Sequence, residues 1–270
     1  MKRLPLTVMT VLLLLRAGAA WADPFDDGAA AYQRGEYAEA GKWFRLAAVQ
    51  GIAPAQYMLG EMYDRGQGVT QDYVEAAKWY RLAAAQGIAP AQFSLGEMYE
   101  RGQGVVPDYT EAAKWYRLAA LQGIAPAQFS LGEMYFFGRG VALDYTEAAK
   151  WYKLQAESGN ATAQYNLGEM YHAGRGVPQD YAEALKWFRL AAAQGNANAQ
   201  TSLGRAYAYG QGVPQDYVRA HMWFNLSGAS GDVDGVQNRD RVAERMTLQQ
   251  IAVAQKMAQA CRQRDFKGCD

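Results

Sequence analysis

Few residues of this chain could carry chemistry, and their spacing points to structure instead. There are only two histidines, His172 and His221. Neither has a partner at metal-ligand spacing, and no nucleophile elbow or zinc-helix motif occurs. Carboxylates pair three residues apart as Asp72/Glu75, Asp108/Glu111, Asp144/Glu147 and Asp180/Glu183. A pair of this kind could supply an acid and a base. Four copies at the start of a helical pattern read as caps instead. The aspartate accepts from free backbone N–H groups, and the glutamate completes a capping-box-like arrangement. Gly-x-Gly begins at 66, 102, 138, 174 and 210. A phosphate cradle would follow a strand and occur once. Here the motif follows a helical pattern five times and reads as a turn. No catalysis, cofactor or metal is expected from this inventory.

The elements that position these residues come from a repeat of 36. Trp recurs at 43, 79, 115, 151, 187 and 223, and Tyr at 37, 73, 109, 145, 181 and 217. Glycines recur at 51, 87, 123, 159, 195 and 231, with a second series from 60 to 204. Residues 53–88 form one module with two helical patterns. In the first, Ala55, Leu59 and Met62 make one apolar stripe, and Gly60 beside them lets a neighbour come close. In the second, Tyr73, Ala76, Tyr80 and Ala83 follow 3-4-3 spacing with Trp79 alongside. Gly87 supplies a left-handed C′ residue and Ile88 its hydrophobic contact. A helix pair of this size cannot bury its apolar face alone, so like modules must stack into a solenoid.

The domain order follows: a signal peptide at 1–22, an N-terminal capping unit at 23–52, five repeats at 53–88, 89–124, 125–160, 161–196 and 197–232, and a C-terminal helical cap at 233–270. Lys2 and Arg3, the apolar run Leu4 to Leu15, and Ala20-Trp21-Ala22 fit a secretory leader, with an uncleaved anchor as the alternative. The apolar run is shorter than the ~20 residues of a bilayer span. Cys261 and Cys269 are the only cysteines. An oxidising compartment would let them pair; the alternative is two free thiols near a frayed end. A periplasmic or secreted location is expected, with no stable membrane span after cleavage.

Half of the residues are hydrophobic and 20% are charged, which excludes a disordered chain. Lys plus Arg and Asp plus Glu both number 27, so the formal charge is zero. No strong positive field exists, and nucleic acid is excluded as a partner.

The module resembles the Sel1-like repeat, a relative of the tetratricopeptide repeat. The resemblance rests on Ala55, Leu59, Gly60, Tyr63, Gly66, Gly68, Val69, Asp72, Ala76, Trp79, Ala83, Ala84 and Gly87, and on their equivalents over 53–232. The partial unit at 23–52 looks more like an ordinary tetratricopeptide repeat. The family implies an all-α, right-handed superhelical solenoid of antiparallel helix pairs, acting as an adaptor or scaffold. Exported members implied by the resemblance act in exopolysaccharide assembly, envelope signalling or host interaction. Cysteine-rich relatives linked to β-lactam hydrolysis place a disulfide in each repeat, which this chain lacks.

In tetratricopeptide arrays the first helix of each module lines the concave face. By that alignment an aromatic row, Tyr57, Phe93, Phe129 and Tyr165, runs beside an acidic row, Glu61, Glu97, Glu133 and Glu169. Such a surface suits a basic or amphipathic protein or peptide, and the aromatics would also suit a polysaccharide. The alternative is that the aromatics pack between modules and the glutamates are solvated. Phe136-Phe137 stands where other modules have Asp-Arg or Glu-Arg. It could anchor a partner, or one ring could be buried.

Overall fold

The computed structural model describes residues 23–269. The expected signal peptide lies outside the described residues. Fourteen helices and no strand occur among the described residues, which makes the fold all-α. They are α1 (Pro24–Arg34), α2 (Tyr37–Val49), α3 (Ala53–Arg65), α4 (Tyr73–Ala85), α5 (Ala89–Arg101), α6 (Tyr109–Leu121) and α7 (Ala125–Phe137). The series continues with α8 (Tyr145–Glu157), α9 (Ala161–Ala173), α10 (Tyr181–Ala192), α11 (Ala197–Tyr209), α12 (Tyr217–Ala229), α13 (Val233–Ala243) and α14 (Leu248–Gln263). The chain divides into two bodies. The N-terminal body holds the chain to Met134 together with Gly138–Ala142; the C-terminal body holds Tyr135–Phe137 and everything from Leu143. In each body the helices of a repeat pack against each other, and the second packs against the first helix of the next repeat. This is the solenoid packing that the repeat demands.

Local chemistry fixes the helix ends. Asp72 Oδ1 accepts from Val74 N at 2.9 Å and Glu75 N at 3.1 Å. The reciprocal half of the expected capping box is absent. Glu75 instead pairs with Lys78 at 2.5 Å, and Asp72 N–H donates to Tyr63 C=O at 3.0 Å. A full capping box forms only where Thr247 and Gln250 open α14. At the other end of α4, Ile88 N–H donates to Ala83 C=O and Gly87 N–H to Ala84 C=O, with Gly87 at φ 89°. That is a Schellman motif.

Two glycines per repeat have steric reasons. A Cβ at Gly96 would stand 2.7 Å from Cδ1 of Tyr116, so the glycine makes room for a close neighbour, the core ring of its own partner helix. A Cβ at Gly104 (φ 69°) would stand 2.0 Å from the carbonyl oxygen of Tyr73. The second glycine of Gly-x-Gly is therefore pressed against the second helix of the preceding repeat, and the turn leaves no phosphate cradle.

The core of the N-terminal body is built on Ala55, Leu59, Met62, Ala76, Tyr80 and Ala83 and their equivalents, all nearly inaccessible. Trp79 and Trp115 are only half-buried, so the innermost aromatics of these repeats are Tyr80 and Tyr116. A part-buried glutamine ladder links successive repeats. Gln86 Nε2 donates to Gln56 Oε1 at 2.8 Å and to Gly51 C=O at 3.0 Å, while Gln56 Nε2 reaches Ala48 C=O at 3.1 Å. Gln122 and Gln92 repeat the arrangement in the same body, as do Gln194 and Gln164 in the C-terminal one. Each ladder satisfies polar groups that stacking would otherwise strand.

The C-terminal body ends differently. Helices α13 and α14 both pack on α12. Ala254, Ala258 and Cys261 of α14 are buried in one cluster with Met222, Trp223 and Leu226 of α12. Cys261 and Cys269 are joined by a disulfide that closes the chain end on α14.

Candidate functional site

The candidate surface in the N-terminal body is the line of first helices, α3, α5 and the start of α7. Their shared Leu-Gly-Glu-Met-Tyr segment turns leucine and methionine inward and leaves the glutamate at the margin. The two rows read from the sequence meet different fates there. Tyr57 and Glu61 are both 3% exposed and so are not open to a partner. Tyr57 packs on Tyr80 at 5.8 Å between ring centroids, and Phe93 on Tyr116 at 5.7 Å. Phe93 and Phe129 are half-buried. These aromatics seal each helix pair, which favours packing over an open aromatic strip.

The acidic row is more open. Glu97 and Glu133 are half-buried, and Glu97 pairs with Arg101 at 2.8 Å. Phe137 takes the place of that arginine one repeat on, so Glu133 has no i,i+4 cation, and the cation that acts on it is Arg139. Burial holds both carboxyls above the usual range. Arg101 opposes the shift at Glu97 and Arg139 at Glu133, while Glu100 adds to both. Burial also raises the Glu61 carboxyl, against the pull of Arg65 at 2.9 Å, and its Oε2 is left without a hydrogen bond.

Two further carboxylates on these helices serve the core. Tyr116 Oη donates to Glu100 Oε2 at 2.7 Å, and one repeat earlier the Tyr80 hydroxyl opposes the rise that burial gives the Asp64 carboxyl. Each carboxylate serves the hydroxyl of a deeply buried tyrosine. Sequence reading missed this. Where the core aromatic is phenylalanine, as at Phe188 and Phe224, the same position holds His172 and Ala208, and in the third repeat it holds Phe136, whose ring packs on Tyr152.

In the C-terminal body the corresponding face has changed character. Tyr165 packs on Phe188 at 6.1 Å, and its phenol is pushed up to about 12 by burial and by Glu169. Glu169 Oε1 accepts from Ser202 Oγ at 2.8 Å. His172 Nε2 lies 3.2 Å from Gln211 Oε1, and its ring meets Tyr181 edge-on, so it is not a freely solvated side chain. Arg205 replaces the row's glutamate. These groups line a cavity of about 210 Å³. The next member of the aromatic row, Thr201, is buried and donates to Asp232 Oδ2 at 2.5 Å. His221 is buried in α12, and burial, followed by Arg239, lowers its pKa.

Phe136 and Phe137 also belong to the C-terminal body. Phe136 is half-buried, edge-on to Tyr145 at 5.2 Å and tilted against Tyr152 at 6.2 Å. Phe137 is 53% exposed. The pair thus divides into a packing ring and an exposed ring. Among the described residues, no group of His, Cys, Asp and Glu is arranged to hold a metal ion, and no helix is long and apolar enough to cross a membrane.

Comparison with known proteins places these features in a family. The Sel1 repeat model matches residues 28–52, 53–88, 89–124, 125–160, 161–196 and 197–232. The partial first unit therefore matches the same repeat as the others, not an ordinary tetratricopeptide repeat. A Sel1 repeat protein from Oxalobacter formigenes is 36% identical, over 78% of this chain and 86% of that one, with a TM-score of 0.70. A protective antigen present in uropathogenic Escherichia coli strains, displaying an SLR fold, is 28% identical over 91% of this chain and 77% of its own, with a TM-score of 0.45. No curated protein matches at a significant level. With six repeats matched between residues 28 and 232, the chain belongs to the Sel1 repeat family.

Proposed function

We propose that this protein is an exported, non-catalytic scaffold whose first-helix face in the N-terminal body binds a basic or amphipathic protein segment. Sel1 repeats are generally protein-interaction scaffolds, and that supplies the general reading. The observation that carries the specific one is the pair Glu97 and Glu133. Both carboxylates are partly withdrawn from water, and both are opposed by Glu100. A lysine or arginine from a partner would relieve that repulsion and steer the encounter. A polysaccharide would need open ring faces, and Phe93 already packs on Tyr116. In the C-terminal body, exposed Phe137 offers an apolar anchor.

Two features support export. One is the basic, apolar and small-residue order of residues 2–22. The other is the Cys261–Cys269 bridge, which an oxidising compartment sustains. The same reading puts the protein in the periplasm or outside the cell.

The test is an anisotropy titration with a labelled Leu/Lys amphipathic peptide and a neutral Leu/Gln control. The joint Glu97→Gln and Glu133→Gln variant should lose about tenfold in affinity, ~1.4 kcal/mol, and salt should weaken the parent. Equal binding of the charged and neutral peptides would discard the acidic face as the site.

A further inference from the structure

The second helices carry an apolar row that no sequence argument singled out. Leu82 and Leu118 are 48% and 43% exposed, and Leu46 is similarly open. Leu226 at the same position of the fifth repeat is 1% exposed, because α14 lies on α12 there. The chain thus displays on itself what fits this face. The occupant is an amphipathic helix whose small residues Ala254, Ala258 and Cys261, spaced four and three apart, are buried in one cluster with Met222, Trp223 and Leu226.

The covered and uncovered copies differ in where their charge lies. In the N-terminal body each second helix reads Glu-x-x-Lys-x-x-Arg, as in Glu111, Lys114 and Arg117, with two cations to one carboxylate. In α12 the glutamate is replaced by Arg219, the lysine by Met222 and the arginine by Asn225, so the net charge is unchanged but no Lys or Arg flanks Leu226. Helix α14 has no acidic residue and carries Lys256 and Arg262. A basic helix covers the copy with no Lys or Arg beside its leucine, and it would be repelled by the copies that keep them there. An occupant of the uncovered copies needs the same small-residue stripe with the opposite charge. Beside Leu118 there is also a place for it, a groove of about 340 Å³ lined by Ala113, Leu118 and Val141, with Lys114 and Arg117 in its walls.

We propose that the exposed face of α4 and α6, centred on Leu82 and Leu118, is a docking surface for an acidic amphipathic helix of a partner protein. It is independent of the acidic first-helix face. A single solenoid body would then hold two partners of opposite charge.

The probe is a fluorescein-labelled peptide of residues 248–263 with Cys261→Ala, Lys256→Glu and Arg262→Glu, titrated against the full chain. Controls are the peptide with Cys261→Ala alone and a scrambled acidic peptide. The acidic peptide should saturate and bind at least tenfold tighter than either control. Leu118→Glu, or Arg117→Gln as a milder second variant, should weaken it by tenfold or more. Leu118 is exposed, so the melting temperature should stay unchanged. Glu97→Gln should leave this binding intact, which separates the result from the acidic-face reading. Scrambled peptide binding equally well, or Leu118→Glu without effect, overturns the proposal. So does sedimentation with phosphatidylglycerol vesicles that depends on Leu118 while the peptide fails to bind, since the face would then meet lipid.

Discussion

In the first two full repeats the core aromatic of the second helix is a tyrosine with a carboxylate of the first helix beside its hydroxyl. In the third, Phe136 packs on Tyr152 at that position, and in the fourth and fifth the aromatic is Phe188 or Phe224 and the carboxylate is gone with the hydroxyl. The difference teaches how the charge of the outer surface is tied to the core. A buried hydroxyl needs an acceptor, and an unmet one costs ~1–3 kcal/mol. Asp64 and Glu100 therefore serve Tyr80 and Tyr116 before any partner, although Phe136 beside Tyr152 shows that the position also admits a ring. Once phenylalanine replaces tyrosine, the position is released, and His172 and Ala208 occupy it. The groove of the C-terminal body could then become less acidic without cost to its core. The same body also lost the Lys and Arg that flank the exposed leucine, replaced in α12 by Met222 and Asn225, and there the beneficiary is α14.

The comparison can be broken first at the tryptophans. Trp223 is 3% exposed and shares a buried cluster with Ala254, Ala258 and Cys261 of α14, whereas Trp79 is half-buried. Trp223→Ala should cost ~3–5 kcal/mol in urea denaturation, and Trp79→Ala about half of that. Equal losses would mean that α14 adds nothing to the burial of Trp223. Trp115, half-buried like Trp79, should follow Trp79.

A smaller effect sharpens the tyrosine argument. Tyr116→Phe removes the donor to Glu100 and should cost ~1 kcal/mol by the same measurement. Phe188→Tyr should destabilise the C-terminal body by a similar amount, and adding His172→Glu should restore most of the loss. A double variant no better than the single one would contradict the stapling role.

The smallest effect concerns pH. Burial, opposed by Arg65, raises the carboxyl of Glu61 in the folded state. Between the ordinary glutamate value and the raised one, the native protein binds more protons than the unfolded chain. Stability therefore falls as pH rises through that window. Glu61→Gln should remove this part of the slope and be at least as stable as the parent at neutral pH. Parallel stability curves from pH 4 to 7 would show that Glu61 is not the source.

Much of this protein could be read from sequence because a strict period converts local pattern into tertiary contact. The 36-residue step fixed which residues are equivalent, and helical spacing fixed which of them face inward, as Ala55, Leu59 and Met62 show. Asp72 was legible as a cap because capping is decided within three residues. The destination of Glu75 was not, since Lys78 competes for it. The sequence left the aromatic row between packing and binding for a related reason. Tyr57 and Phe93 sit at margin positions, and only packing against Tyr80 and Tyr116 decides how much of each ring stays in water. The glutamine ladder and the cover by α14 join residues 30 or more apart, beyond the reach of any helical period.

By itself, then, the order of amino acids determined helix, turn and repeat, because those depend on backbone freedom, capping and periodicity within one module. The tertiary structure decided which charged and aromatic side chains remain available to a partner. Availability depends on desolvation by neighbours far along the chain, and that is a property of the stacked helices rather than of any single one.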